Sequence, residues 1–210
     1  MRRVALALAV IVAIIIAVPS SRHGALRGLG GALVVSDPIE PSDVGVITET
    51  GGAIEFQAAE IELSELYNRR LVSRVIVMRA SPEEVDAELA RRGVTLEDPA
   101  AATLQQLGIP RDRIAMLEAG EGGTTESSHA LAAWAREHRD RVIVVIGAAH
   151  ARRYRRALLR VWPVGTLQPI ITYPHHTTFR PDDWWQSRRS LREGLFELQK
   201  LAWDYVTHPW

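Results

Sequence analysis

The chain has 210 residues, with 25 basic and 25 acidic residues in balance and no cysteine. That length suits one domain with a sizeable core plus an appendage, and is short for two full domains. Balanced charge argues against an electrostatic pull toward nucleic acid, and the lack of cysteine excludes disulfides, thiolate nucleophiles, iron-sulfur clusters and a lipid-modified cysteine. Lys200 is the only lysine, which we read as a compositional bias toward arginine rather than a guanidinium-specific function.

Taken in chain order, Met1, Arg2 and Arg3 precede an unbroken apolar run from Val4 to Val18, followed by Pro19, Ser20, Ser21 and Arg22. Such a run fits the core of a signal peptide and falls slightly short of the ~20 residues a spanning helix prefers, although ~17 suffice. No clear A-x-A cleavage pattern follows, so a retained anchor is preferred to a cleaved signal. Arg2 and Arg3 predict an N-in orientation, in which residues 4–18 hold the bilayer and the soluble domain of a single-pass cell-membrane protein lies outside the cytoplasm. Residues 1–22 are therefore read as a signal anchor. Residues 23–32, containing GALRGLGG, are read as a flexible linker, and residues 33–210 as the domain, entered through an extended segment interrupted by Pro38 and Pro41.

Within the domain the hydrophobic period alternates. Strands are predicted at Val44 to Thr48, Val75 to Met78, Ile114 to Leu117, Val142 to Ile146 and Gln168 to Thr172. Helices are predicted at Ile54 to Leu71, at Glu83 to Arg92, and from Ala100 to Leu107 behind Pro99. A helix of about four turns is expected after Glu121 to Thr125, and another over Ala151 to Val161, with its arginines turned largely outward. A last helix is expected to dock through Leu191, Leu195, Leu198, Ala202 and Tyr205. Strand and helix alternating in this way predict an α/β, Rossmann-like three-layer sandwich with a mostly parallel sheet of about five strands, preceded by an N-terminal transmembrane helix.

The run VIVVIGAAHARRYRRALL from Val142 to Leu159 carries the clearest functional signal. It places His150 just beyond a buried strand, at the carboxyl edge of the sheet, where ligands of open α/β folds bind. An imidazole there can act as a general acid or base or donate to a phosphate, or it can simply pack or cap at the sheet edge. Arg153, one turn on, can add a bidentate phosphate contact or be a solvated arginine on a basic helix face. Gly51 and Gly52, and Gly122 and Gly123 before Thr124 and Thr125, can expose amides to an anion at a helix start, or can be what a tight strand-to-helix turn needs. Thr124 or Thr125 is expected to be an N-cap. His175 and His176 are adjacent, with no cysteine or acidic partner at ligand spacing, so no metal site is expected. Trp184 and Trp185 are read as a plug at the core edge in preference to a membrane-facing patch, and Glu197 and Lys200 as a surface pair one turn apart. No G-x-S-x-G, P-loop or complete G-x-G-x-x-G occurs.

The order of several segments resembles the SanA/ElyC/YdcF family of envelope-associated proteins, a domain of largely unknown function with a Rossmann-like fold. The resemblance is carried by LVVSDPIEPSDVGVI at Leu33 to Ile47, Glu65-Leu66-Tyr67, LGIPRDRI at Leu107 to Ile114, and Thr124-Thr125-Glu126. To these add His150 with Arg153, and DDWWQSRRSLREGLFELQKL at Asp182 to Leu201. The chain departs from the family at Thr48 to Gly52, near Glu55, at Arg79-Ala80-Ser81 and at Ile146-Gly147, where the family's polar or glycine motifs are missing. The resemblance therefore implies a divergent member with a role in the cell envelope and peptidoglycan metabolism.

Together these readings predict His150 as the catalytic candidate and Gly51, Gly52, Thr124, Thr125, Glu126 and Arg153 as ligand-binding candidates lining one pocket. The ligand class expected is phosphate-bearing, such as a lipid-linked cell-wall precursor; the alternative is an inactive binding or scaffold module of the envelope. No cofactor is identified.

Overall fold

The computed structural model describes residues 19–48, 52–81, 84–94, 98–120 and 123–209. The expected anchor at 4–18 and the candidate Gly51 lie outside the described residues. Among those described, no helix is long and apolar enough to cross a membrane.

Five strands, β1 (Val44–Thr48), β2 (Arg74–Arg79), β3 (Ile114–Glu118), β4 (Val142–Val145) and β5 (Ile170–Thr172), form one sheet in the order β3-β2-β1-β4-β5. Every pairing is parallel: Val44 stands beside Arg74 and Val142, Val75 beside Ile114, and Ile143 beside Ile170. The chain order reverses between β1 and β4, which opens a crevice at their carboxyl ends. The helices are α1 (Pro19–Leu33), α2 (Ala53–Asn68), α3 (Glu84–Arg91), α4 (Pro99–Gln106), α5 (Thr124–His138), α6 (Ala151–Val161) and α7 (Arg188–Thr207). The fold is thus α/β and Rossmann-like with an all-parallel sheet.

Side-chain parity explains why the strands are apolar throughout. Successive residues of a strand face opposite sides, so Val142, Val144 and Ile146 join Leu131, Tyr154 and Leu158 in one core, while Ile143 and Val145 join Leu63, Leu66 and Leu104 in the other. Both faces of a parallel sheet are covered, hence no polar alternation. Gly45 lets α2 approach: a Cβ there would lie 2.2 Å from Leu63 Cδ1. At α4 the Asp98 carboxylate accepts from the Ala100 and Ala101 amides at 3.0 and 3.2 Å, ahead of the Pro99 start predicted from sequence.

Three expectations need correction. Residues 23–32 are not a flexible linker but the body of α1. Gly30 is a packing glycine, since a Cβ there would fall 2.5 Å from Pro181 O and 2.7 Å from Trp184 Cδ1, and the buried Trp184 indole donates to Leu26 O at 2.8 Å. The docked face of α7 keeps only part of the Leu191, Leu195, Leu198, Ala202, Tyr205 stripe: Leu191 and Leu198 pack half-buried beside Trp184 and Leu201, but the buried residues are Ser190, Gly194, Glu197, Leu201 and Asp204, while Leu195, Ala202 and Tyr205 are exposed. The buried face is partly charged because α6 offers it arginines. Those arginines are the third correction: Arg152 donates to Ala32 O and Val34 O, Arg155 pairs with Asp37, and Arg156 and Arg160 pair with Asp204. They are fasteners between segments rather than a solvated basic face.

Candidate functional site

Beyond β4 the chain turns at Gly147 and runs through a short 3-10 turn, Ala148–His150, into α6. The turn buries His150 to 5% exposure, so the imidazole is not presented openly at the sheet edge as the sequence suggested. Its surroundings come from three other places: Glu197 on α7, Arg153 one turn along α6, and Thr124 at the start of α5.

The contacts form a connected chain. His150 Nδ1 lies 3.0 Å from Glu197 Oε2 and His150 Nε2 lies 3.3 Å from Thr124 Oγ1. Arg153 donates from Nε to Glu197 Oε2 at 2.9 Å and from Nη1 to Thr124 Oγ1 at 2.8 Å, and Lys200 Nζ donates to Glu197 Oε1 at 2.9 Å. Arg153 Nη2 also stands 2.9 Å from His150 Nδ1. Nδ1 cannot both donate to Glu197 and accept from Arg153, and the ionised Glu197 selects the Nδ1–H tautomer. Nε2 is then an acceptor, matched to the Thr124 hydroxyl, which in turn accepts from Arg153.

Burial lowers the pKa of His150 from its ordinary value, with Arg153 and Lys200 adding to that and the Glu197 hydrogen bond opposing it, so the ring is neutral near pH 7. Burial acts to raise Glu197, but the hydrogen bonds from His150 and Arg153 and the charge of Arg153 hold it well below the carboxylate range. The result is an ionised carboxylate, a neutral imidazole and a hydroxyl in series. That order can withdraw a proton from the hydroxyl and stabilise the imidazolium that forms.

Two recesses flank α7. One, of about 1090 Å3, runs from Thr124, Thr125 and Arg153 along Phe196 and Lys200 to Trp203. The other, of about 1390 Å3, lies between Gly52 and the first turns of α7, with Arg192, Glu193, Glu197 and Lys200 in its wall. Behind it sits Glu55, fully buried, whose carboxylate accepts from Thr177 Oγ1 at 2.9 Å and from the Thr178 amide at 2.7 Å. Burial, and then the charge of Glu55, push the Glu193 carboxyl up to about 7.

Of the residues predicted from sequence, the structure brings His150, Arg153 and Thr124 together. Thr125 lines the same recess, while Gly52 lines the neighbouring one. Glu126 does not join them: it is exposed, and its Oε2 lies 3.0 Å from where a Cβ on Gly123 would be. The N-cap expectation also changes. The cap is Gly123, at φ 101, which has no side chain to offer, while the hydroxyl of Thr124, the first helical residue, is taken by Arg153 and His150. Trp184 is buried, as expected of a core plug.

Sequence reasoning missed Glu55 and the role of Glu197, which does pair with Lys200 as expected but is buried and stands at the centre of the cluster. A signal for the latter existed: Arg153, Arg156 and Arg160 on one helix are spaced to meet Glu197 and Asp204 on another. Folding also gives His175 the acidic partners it lacks in sequence. Its Nδ1 lies 2.6 Å from Glu62 Oε2, and Glu62, Glu65 and His175 offer ligand atoms within 4.8 Å of one another. Among the described residues these three could hold a metal ion, although the Glu62 carboxylate is already hydrogen-bonded to the ring and amide of His175.

Comparison with known proteins assigns no family: no protein-family model and no curated protein matches the chain. One solved structure found by its fold is glucose-6-phosphate 1-dehydrogenase from Mycobacterium avium, 17% identical, with a TM-score of 0.37; the match covers 76% of this chain and 34% of that one. A likeness at this level assigns neither cofactor nor activity.

Proposed function

We propose that this chain is a divergent SanA/ElyC/YdcF-type protein of the cell envelope, tethered to the membrane through residues 4–18. In this reading its domain lies outside the cytoplasm and takes a phosphate-bearing, lipid-linked ligand at the carboxyl edge of the sheet. The single observation that carries the ligand reading is the Thr124 hydroxyl, held between His150 Nε2 and Arg153 Nη1 at the end of an open groove. The first amides of α5 and the cations Arg153 and Lys200 suit a phosphoryl group there, and Ala157, Val161 and Phe196 along the groove suit an apolar tail. In a transfer step the Thr124 proton passes to His150 Nε2 as Thr124 Oγ1 bonds to phosphorus. The ester P–O bond breaks, and the same proton goes to the departing alcohol.

The scaffold alternative draws on one fact: Arg153 and Lys200 are already committed to Glu197, leaving a network that is satisfied without a ligand. Calorimetric titration of the full chain in detergent micelles with a prenyl monophosphate and with inorganic phosphate separates the two. We expect saturable binding of the prenyl phosphate, weakened about tenfold or more in Thr124→Val and Lys200→Ala, since a charge-assisted hydrogen bond contributes about 1.5–3 kcal/mol. Lack of saturable binding by either probe leaves the scaffold reading. Release of the prenyl alcohol with a phosphate ester left on Thr124, both lost in Thr124→Val, supports the transfer step.

A further inference from the structure

The sequence of α7, RRSLREGLFELQKLAWDYVT, sorts its charges by face. All three acidic residues are turned inward: Glu197 and Asp204 are buried, and Glu193 is half-buried beside the second recess. All four cations, Arg188, Arg189, Arg192 and Lys200, are exposed. Opposite the docked face, at helical spacing, Arg188 and Arg192 lead into Leu195, Phe196, Trp203 and Val206. These four apolar side chains are 54%, 56%, 68% and 74% exposed. Neither the fold nor the Thr124 cluster accounts for so much apolar surface on one helix.

We infer that this outward face of α7 rests on the surface of an anionic lipid bilayer. A helix with an apolar face, a tryptophan and a cationic border free of acidic residues is built to lie in the interfacial plane, with its cations at anionic headgroups. The path of the chain gives the same location. His23 in the second turn of α1 stacks on Trp185 with ring centroids 5.7 Å apart, which brings the beginning of α1 to the beginning of α7. The apolar sequence run Val4 to Val18 ends immediately before α1. A membrane entered by that run meets α7 first at its arginines and then along its apolar turns. Phe196, Trp203 and Val206 also line the groove that runs to Thr124, but none of the four apolar residues touches the His150 cluster, so a bilayer under this face is tested apart from phosphate binding.

The absence of native cysteine permits a site-specific test on the full chain. Single-cysteine variants Trp203→Cys, Val206→Cys and Asp112→Cys are labelled with bimane and reconstituted into phosphatidylcholine vesicles containing phosphatidylglycerol. Asp112 serves as control because it stands in the turn before β3, at the far edge of the sheet. Labels at 203 and 206 are expected to shift to the blue and lose most of their emission to doxyl-labelled lipid, while the label at 112 is quenched by iodide alone. Adding Arg188→Glu, Arg189→Glu and Arg192→Glu together is expected to cut the lipid quenching at 203. Iodide quenching at 203 and 206 equal to that at 112 overturns the proposal, since the face is then in water. Shielding from both quenchers also overturns it, by assigning the face to a protein contact: a second copy or residues 4–18.

Discussion

Glu197 Oε2 lies 3.0 Å from His150 Nδ1, joining the last helix to the turn that follows β4 through a contact buried on both sides. The carboxylate also receives Arg153 and Lys200, so one side chain of α7 holds together three groups at the sheet edge. Removing one partner from such a buried cluster leaves charges unpaired. Glu197→Ala should therefore cost about 3–5 kcal/mol in urea denaturation. Nitrogen-15 NMR of His150 should show the Nδ1–H tautomer in the wild type and its loss in Glu197→Ala.

The pH dependence of that contact has a defined sign. The folded pKa of Glu197 is depressed, so its contribution is present above the ordinary glutamate pKa and is lost as pH falls below it. Glu197→Gln should lack this acid-side loss in a plot of Tm against pH.

Glu193 behaves oppositely. Its carboxyl is raised from 4.5 to about 7, first by burial and then by the charge of Glu55. The unfolded chain releases this proton near 4.5, and the folded chain holds it to about 7. Stability supplied by the neutral form is thus complete below the first value and falls as pH rises through the second. Glu193→Gln should remove that decline, giving a higher Tm than the wild type above pH 7.

Arg156 and Arg160 both grip Asp204, at 2.7 Å each, and tie α6 to α7. Asp204→Asn should destabilise by about 1.5–3 kcal/mol, the range for hydrogen bonds to charged groups. A double-mutant cycle with Arg156→Ala should return a coupling energy clearly above that of an exposed pair.

Glycines in the helices separate into two kinds. A Cβ on Gly194 would lie 2.5 Å from Trp184 Cε3, so Gly194→Ala should cost about 1–3 kcal/mol by overpacking. Gly28 in α1 has nothing within 4 Å of such a Cβ, so Gly28→Ala should stabilise the protein by about 0.5–1 kcal/mol. Thermal melts of both variants check the contrast.

Sequence alone determined the alternation of strands and helices, because hydrophobic period is a local property: Val44 to Thr48 and Ala151 to Val161 coincide with β1 and α6. It also placed His150 and Arg153 one turn apart beyond an apolar strand, and Thr124 at a helix start. Only the tertiary structure decided which groups meet them. Glu197 and Glu55 are polar residues on helices, and nothing local distinguishes a solvated carboxylate from one that a distant arginine or threonine will bury. The GALRGLGG stretch shows the same limit. Its glycines read as flexibility until Trp184, far along the chain, packs against Gly30 and makes the missing side chain a condition of close approach. Local pattern sets which segments become helix or strand, whereas burial and charge pairing across more than forty residues of sequence, as between His150 and Glu197 at a separation of 47, set the site.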